Sequence, residues 1–368
     1  MLDSMTRPQI SALLRTATIA VTALLTSGCA DMGYLLQSAR GHMAVVQAAR
    51  PVDQWLAEDA TPEDLKQRLR LAQELRRYAV ETLKLPDNAS YTRYATLPRR
   101  AVVWNVVAAP AFSLQPKTWC FPVTGCVAYR GYFNEPDAQA QAASLRLQGW
   151  EVSVYPVPAY STLGKTNWLG GDPLLSTFIH FPQGELARII FHELAHQVLF
   201  VKDDTAFNES FATAVERLGS AAWLADPAHA PAQHEYARLD ARRQAFRALA
   251  THTRKKLQAI YTSTDDGAIH AQRQQAIKAD AYAEFRKAYT QLKATWDGYD
   301  RYDAWVANAN NAAFAALASY DDWVDAFEVL FARQQGDWVA FYSAAQALAN
   351  QPREERTRQL QQLQRAKP

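Results

Sequence analysis

The stretch from residue 183 to residue 201 carries apolar side chains on nearly every side of a predicted helix. These are Leu186, Ile189, Ile190, Phe191, Leu194, Val198, Leu199 and Phe200. A helix that is apolar all round lies in the interior of a protein, yet this one contains the sequence HELAH, residues 192 to 196. Because an unpaired buried charge is costly, the fold must provide partners for two histidines and a glutamate.

His192 and His196 are one helical turn apart, so their imidazoles leave the same face at a spacing that a single metal ion bridges. Glu193 points to one side of this pair, where it reaches a water on the metal rather than the metal itself. This HExxH pattern predicts a catalytic site for one Zn²⁺ ion. The alternative, two core histidines with other polar partners, leaves a buried Glu193 without a role.

A catalytic zinc has a third protein ligand and keeps its fourth position open. The next predicted helix, residues 205 to 220, returns past the histidines, and Glu209 is the predicted third ligand. Glu216 lies seven residues further along the same face, where it either orients a histidine N–H or forms a surface pair with Arg188 or Arg217. Asn208 is predicted to cap or brace the site.

These residue types favour hydrolysis of a peptide bond. Zinc polarises the scissile carbonyl, while Glu193 takes a proton from the attacking water and passes it to the leaving amine. A hydroxyl donor opposite the metal would stabilise the oxyanion, and Tyr320, in the helical C-terminal part, is the candidate. Its alternative is a core tyrosine packed with Phe314 and Leu317.

A candidate contact with the substrate backbone is AYSTLG, residues 159 to 164. As an extended segment it would pair with a peptide by β-addition, with Tyr160, Ser161, Thr162 and Gly164 as the binding residues. The alternative is an ordinary turn closed by Gly164.

The periodicity along the chain predicts an α+β fold, mostly α-helical with a small β-sheet before the zinc-binding helix. Helices are expected over 33–50, 62–84 and 136–149, β-rich segments between 101 and 181, and helix over almost everything from 183 onward. Two closely packed subdomains follow from this reading, 29–181 and 182–368. The charged run from Arg242 to Lys256 is expected on solvated helix faces.

Residues 1–28 have the features of an export signal, because Arg7 and Arg15 precede a short apolar run and small residues lead to Cys29. The segment TSGC is similar to the lipobox of bacterial lipoproteins, which implies that Cys29 is acylated and becomes the mature N-terminus. The predicted location is the bacterial cell envelope, with a lipid anchor facing the periplasm, and Ala30 favours the outer membrane. The alternative is a secreted protein with a free Cys29.

Export places the other two cysteines in an oxidising compartment. Cys120 and Cys126 flank a short loop that contains Pro122 and Gly125, which help the chain turn back on itself. A disulfide is therefore predicted. The alternative is a pair of zinc thiolates, but the sequence has no second cysteine pair to complete such a site.

The charge balance argues against nucleic acid as a partner. The 39 Lys and Arg residues against 37 Asp and Glu residues give a net charge of +2, spread without a basic stripe or a nucleic-acid-binding motif. The expected partners are a peptide substrate and a membrane lipid. The protein is expected to be a monomer. A large core is also expected, because the chain has 368 residues and is 49% hydrophobic.

The motifs resemble those of gluzincin metallopeptidases, since HELAH followed by FNESFA is similar to the zinc segments of the aminopeptidase N clan. From about residue 29 to about residue 350 the chain also resembles a family of bacterial lipoproteins described as zinc aminopeptidases. The segments that carry this likeness include GYLLQSARGHM, TWCFPVTGCVAYRGYF, FHELAHQ and NNAAFAALASYDDWVDAF. The resemblance implies zinc on His192, His196 and Glu209, with Glu193 as the base.

Two departures from the aminopeptidase N clan concern the substrate. The spacing from His196 to Glu209 is shorter, and the GxMEN segment that recognises a free amine is absent. Peptidase chemistry is therefore expected either from an aminopeptidase acting on short peptides or from an endopeptidase. A further hypothesis is a non-catalytic envelope scaffold with a structural metal, which has no need of Glu193.

Overall fold

The structure is a computed structural model and describes residues 32–121, 125–165, 167–262, 268–318 and 323–366. Most of these residues are helical, and short strands form two three-stranded sheets and a hairpin. The α+β class predicted from the sequence is thereby confirmed. The predicted signal segment, Cys29 and Tyr320 lie outside the described residues. Among the described helices, none is both long and apolar enough to cross a membrane.

Three helices open the described chain: α1 (residues 32–48), α2 (Val52–Ala57) and α3 (Glu63–Glu81). Glu63 and Asp64 lie in the first turn of α3, where carboxylates interact favourably with the helix dipole. The buried residues of α3 recur at helical spacing and are Leu65, Leu69, Ala72, Leu75 and Ala79. α1 and α3 match the helices predicted over 33–50 and 62–84.

The strands are β1 (Arg50–Pro51), β2 (Arg93–Ala95), β3 (Val103–Ala109), β4 (Trp119–Phe121), β5 (Gly125–Val127), β6 (Arg130–Tyr132), β7 (Glu151–Val157) and β8 (Leu174–Leu175). One sheet has the order β1-β2-β8, the other has the order β6-β3-β7, and β4 and β5 form the hairpin.

β3 is the buried centre of the second sheet, and every one of its residues is buried. Trp104, Val106 and Ala108 face α4 (Glu135–Leu147), whereas Val107 and Ala109 face α10 (Asn311–Ala318). Because side chains alternate between the two faces of a strand, two helices cover this sheet from opposite sides.

The segment LLSTFIHF, residues 174–181, forms less strand than predicted. Only Leu174–Leu175 is a strand, and the chain then turns, with the N–H groups of Phe178 and Ile179 donating to the carbonyl of Leu175. Both of these side chains are buried in the turn. A short apolar run marks burial, but its periodicity does not separate a strand from a buried turn.

The remaining helices are α5 (Gln183–Ala195), α6 (Thr205–Leu224), α7 (Ala230–Tyr261), α8 (Ala268–Lys293), α9 (Asp303–Ala307), α11 (Val324–Arg333), α12 (Trp338–Ala349) and α13 (Arg353–Arg365). The largest apolar cluster joins α3, α5 and α6 to the last three helices, so it contains residues from both sides of position 181. A second cluster lies between α7, α8 and α9. The predicted subdomain boundary at 181/182 stays a prediction.

α5 ends at Ala195 and not at residue 201, and His196 is its C-cap. The chain then turns towards α6 with Asp203 in the left-handed region at φ 65°. Asn208 holds this turn, because its amide donates to the carbonyl of Val201 and its side-chain oxygen accepts from the N–H of Val201, both at 2.7 Å. Asn208 is therefore the brace of the hairpin between α5 and α6.

Asp204 ties the start of α6 to the C-terminal helix. Its Oδ1 accepts from the N–H of Phe207 at 3.1 Å as the N-cap of α6, and its Oδ2 pairs with Nη2 of Arg356 in α13 at 2.7 Å. The two charged side chains are only 11% and 6% exposed. One carboxylate thus caps a helix and neutralises a buried guanidinium.

We predict that Asp204→Ala lowers the free energy of unfolding by about 3 to 5 kcal/mol, because it leaves the Arg356 charge buried without its partner. Urea denaturation would measure this. The control is Asp337→Ala, which removes the exposed N-cap of α12 that accepts from Ala340 at 2.9 Å and should cost about 1 kcal/mol. Equal losses in the two variants would show that the pair with Arg356 contributes nothing beyond capping.

Candidate metal centre

α5 and α6 bring two imidazoles and one carboxylate together at the bottom of a cavity. Nε2 of His192 lies 3.1 Å from Nε2 of His196. Oε2 of Glu209 lies 3.4 Å from the first of these nitrogens and 3.7 Å from the second. The three predicted ligands therefore form one compact triangle that could hold a metal ion.

The size of this triangle fits a tetrahedral zinc site. Zinc bonds to imidazole nitrogen and carboxylate oxygen of about 2.0 to 2.1 Å place neighbouring ligand atoms about 3.3 Å apart. The distances between the three side chains, 3.1, 3.4 and 3.7 Å, lie around that value. The donor set, two imidazoles and a carboxylate, is also one that zinc takes in catalytic sites.

Gly219 in α6 allows the two helices to pack closely enough for this contact. A Cβ at this position would lie 2.6 Å from Leu83 and 3.2 Å from Phe191, a core residue of α5. The residue immediately before His192 therefore packs against the backbone of α6. A side chain at position 219 would meet Leu83 first and would then press on Phe191 of α5, so glycine favours the close packing of the two helices.

Glu216 lies behind His192 on the side away from the triangle. Its Oε2 is 3.0 Å from Nδ1 of His192, and its Oε1 accepts from two guanidinium nitrogens of Arg188, from Nε at 3.1 Å and also from Nη2. Glu216 thus contacts the histidine and also pairs with Arg188, but this pair is shielded from solvent and is not the surface pair of the alternative. A carboxylate in this position fixes the orientation of a ligand ring.

The ion pairs continue from Arg188 to α7. Nη1 of Arg188 lies 3.2 Å from Oε2 of Glu185, and Oε1 of Glu185 lies 2.5 Å from Nη2 of Arg243. All three side chains are less than one-fifth exposed. Arg243 belongs to the charged run that the sequence places on solvated faces, and that expectation is wrong for this residue.

The carboxylates near the two imidazoles favour positive charge in the site, either a proton on His192 or a cation that takes its place. Burial alone would lower the pKa of His192, but its contacts with Glu209 and Glu216 raise that pKa to about 10. Burial lowers the pKa of His196 to about 4, which leaves its ring neutral and able to donate a lone pair. Burial would raise the pKa of Glu209, but the nearby His196 and His192 hold it below its usual range. The site concentrates negative charge around two imidazoles.

Glu193 lines the same cavity as the three ligands and lies outside their triangle. Burial raises the pKa of its carboxyl to about 8, and a cation on the three ligands would lower that pKa and favour the ionised form that a base needs. This position matches the one predicted from the sequence, in which Glu193 follows His192 and leaves the helix to one side. It can reach a water or a substrate that enters the cavity without replacing a ligand.

The cavity above the triangle has a volume of about 610 Å³, within the range of small-ligand sites. One wall comes from α1, which contributes Tyr34, Ser38 and His42. His42 is tied to the opposite wall, because its Nδ1 lies 2.6 Å from the hydroxyl of Tyr160. Sequence reasoning assigned no role to α1, although GYLLQSARGHM was among the segments that carry the family likeness.

The segment 159–164 ends in a turn at 162–165, and residues 159–161 belong to no strand, so pairing with a peptide by β-addition stays a prediction. The N–H of Lys165 donates to the carbonyl of Thr162 at 3.0 Å, and Leu163 and Gly164 both have positive φ, 57° and 71°. These angles at the two central residues are those of a tight hairpin-type turn. Buried Asp172 fixes it by accepting from the N–H and hydroxyl of Thr162.

The predicted substrate-binding residues of this turn differ in their access to the cavity. Tyr160, Ser161 and Thr162 line it, whereas Gly164 is not among its lining residues. Gly164 instead closes the turn, which is the alternative that the sequence left open. Binding of a substrate by these residues stays a prediction.

The hairpin of β4 and β5 is closed by a disulfide between Cys120 and Cys126, as predicted. The N–H of Cys126 donates to Oδ1 of Asp203 at 2.5 Å, so the hairpin is docked on the turn between α5 and α6. Three residues further on, Tyr129 reaches the wall of the cavity. The disulfide thus helps to place a cavity residue.

Tyr129 is a site residue that sequence reasoning missed. Burial, and then the negative charges of Glu209 and Glu193 among its causes, hold the pKa of its phenol well above the usual range. Its hydroxyl therefore keeps its proton and is available as a donor near the ligands. The sequence feature that could have identified Tyr129 is its position in TWCFPVTGCVAYRGYF, close to the predicted disulfide.

A helical hairpin that places two histidines and a glutamate around one point, beside a further carboxylate in a cavity, defines a candidate metal-dependent hydrolase. The family described as "Putative aminopeptidase" matches residues 33–360, and the chain belongs to this family. A peptidase-type function is the assignment that this membership supports. Comparisons with curated proteins and with solved structures found no match.

We predict that Glu216→Gln weakens metal binding by about 10- to 100-fold, since loss of a carboxylate behind a ligand histidine has that effect. Competition with a chromophoric chelator would measure the dissociation constant for zinc. The control is Glu328→Gln, which changes a carboxylate that also pairs with an arginine of α6, Arg217 at 3.6 Å, but is not a neighbour of His192. Unchanged zinc affinity in Glu216→Gln would contradict the role assigned to this carboxylate.

Proposed function

We propose that the protein is a zinc metallopeptidase in which His192, His196 and Glu209 hold one Zn²⁺ ion and Glu193 is the general base. The observation that carries this proposal is the triangle of ligand atoms, with edges of 3.1, 3.4 and 3.7 Å. Membership of the aminopeptidase family supports a peptide as the substrate. The volume of the cavity favours a short peptide.

A zinc ion bound by these residues would supply a Lewis acid that polarises the scissile carbonyl and makes a water more acidic. Glu193 lies beside the ligands, where it accepts the proton of the attacking water and passes it to the leaving amine. Glu216, held by Arg188, keeps the ring of His192 in the orientation that the triangle requires. The cavity walls exclude bulk water and hold the peptide.

Two tyrosines are candidates for the hydroxyl that stabilises the oxyanion. Tyr320 was proposed from the sequence and lies outside the described residues. Tyr129 lines the cavity and keeps its proton. A donor of this kind contributes about 100- to 1000-fold in kcat. Measuring peptide hydrolysis by Tyr129→Phe and by Tyr320→Phe would therefore identify which of the two hydroxyls stabilises the oxyanion.

We predict that Glu193→Gln keeps zinc but loses about 100- to 10,000-fold in kcat/KM, the range that a general acid–base contributes. The measurement is hydrolysis of fluorogenic aminoacyl and N-blocked peptides, with zinc content determined on the same preparations. Glu328→Gln is the control, because it alters a half-buried carboxylate that pairs with Arg217 and belongs neither to the ligands nor to the ion pairs around Glu216. Zinc binding with full activity in Glu193→Gln would refute the role of this residue.

The two substrate classes in that assay separate the aminopeptidase from the endopeptidase. Cleavage of peptides with a free amine supports an aminopeptidase, whereas cleavage of N-blocked peptides alone supports an endopeptidase that uses the same residues. Zinc binding without turnover of either class would favour the scaffold with a structural metal.

We further propose that the protein is anchored in the bacterial cell envelope through acylated Cys29 and faces the periplasm. The sequence of residues 1–28 and the lipobox-like TSGC support this location, and the Cys120–Cys126 disulfide is compatible with an oxidising compartment. We predict that cells grown with labelled palmitate incorporate label into the wild-type protein and not into Cys29→Ser. Label retained in Cys29→Ser would place the modification elsewhere.

A further inference from the structure

α1 has a strongly apolar face that is exposed. Four of the eight exposed large apolar side chains in the described part of the chain lie on this helix, namely Met32 (59% exposed), Leu35 (42%), Leu36 (49%) and Met43 (40%). Leaving such a group in water is unfavourable, and a cluster of this kind marks an interaction surface. We refer to these four residues as the α1 face.

The α1 face is one continuous stripe along the helix. At 100° per residue, the four side chains fall within about 100° of one another, and exposed Ala39 lies between them. Arg40 is exposed at the edge of the stripe, where its guanidinium can reach a phosphate while the apolar side chains point away from water. An amphipathic helix with these features lies flat in a membrane interface.

The chain that precedes α1 indicates what covers this face. Cys29, the proposed site of acylation, is three residues before Met32. Three residues span at most about 11 Å, so acyl chains on Cys29 would enter the bilayer next to the first turn of α1. The helix would then lie at the membrane surface, where its exposed apolar stripe is the part of it that suits lipid.

We propose that the α1 face inserts into the lipid headgroup region of the bilayer and orients the protein on the membrane. The cavity residues of α1, Tyr34, Ser38 and His42, are centred about 120° around the helix from this face. His42, however, lies only about 20° from Leu35 around the helix, so the cavity borders the α1 face on that side. The candidate site would then lie close to the membrane surface.

This inference needs neither the metal nor peptidase activity, so it can fail or stand separately from the proposed function. The test uses the chain from residue 30, which contains every residue that the structure describes and carries no acyl group. Flotation with vesicles of phosphatidylethanolamine and phosphatidylglycerol at a 3:1 ratio measures its partition coefficient. The measurement is repeated with a metal chelator present, and the same coefficient is expected.

Leu35→Glu/Leu36→Glu should lower the partition coefficient by at least about tenfold, because two half-exposed leucines no longer transfer to an apolar environment. The control is Leu147→Glu/Val339→Glu, which adds the same two charges at leucine and valine side chains that are 91% and 58% exposed on other helices. The partition coefficient of this control should stay within about twofold of the wild-type value, since the control changes the net charge but leaves the α1 face intact.

A pair of uncharged substitutions separates the loss of apolar surface from the effects of added charge and of unfolding. Met32→Gln/Met43→Gln should also weaken vesicle binding, while the melting temperature of all variants stays close to that of the wild type because the substituted side chains are exposed. The proposal is overturned if the wild-type chain does not bind vesicles, or if both glutamate pairs reduce binding equally. A wild-type dimer that Leu35→Glu/Leu36→Glu converts to a monomer would assign the face to a second copy instead.

Discussion

The packing of α5 against α6 is the contact on which the candidate site depends. α5 carries two histidines on one face, and α6 places two carboxylates against them, Glu209 in front of the rings and Glu216 behind His192. Burial of so many ionisable groups is unfavourable unless each has a partner, and Arg188 supplies the positive charge that Glu216 needs. The apolar residues on the other sides of both helices provide the packing that offsets this cost.

The position of the hairpin is set by contacts with distant parts of the chain. Its turn is docked on the β4–β5 hairpin through Asp203 and on α13 through Asp204, while Asn208 closes it internally. These residues lie within six positions of one another and connect the turn to segments more than 75 residues before and 150 residues after it. The metal ligands are local in sequence, but their geometry is determined by the whole fold.

The sequence was sufficient for those parts of the site that depend on local geometry. His192 and His196 share a face because they are one turn apart, and a short connection brings Glu209 back to them, so spacing alone identifies the three. The sequence could not identify Tyr129, His42 or Arg243. These residues reach the site through tertiary packing, which the periodicity of the sequence does not reveal. The same limit explains the end of α5 and the turn at 162–165, where the chain leaves regular secondary structure and is held by Asn208 and Asp172.

The arrangement also bears on the choice between an enzyme and a scaffold with a structural metal. Structural zinc sites are closed by four protein ligands, whereas catalytic sites have three and leave one position accessible. Among the described residues the candidate ligands are three, and they lie on the floor of a cavity rather than in a closed core. Glu193 is partly exposed and lines the same cavity, and a structural metal would have no need of a carboxylate at this position. The count of three candidate ligands and the adjacent carboxylate therefore favour the enzyme over the scaffold, and α1 lines the cavity through which a substrate would reach them.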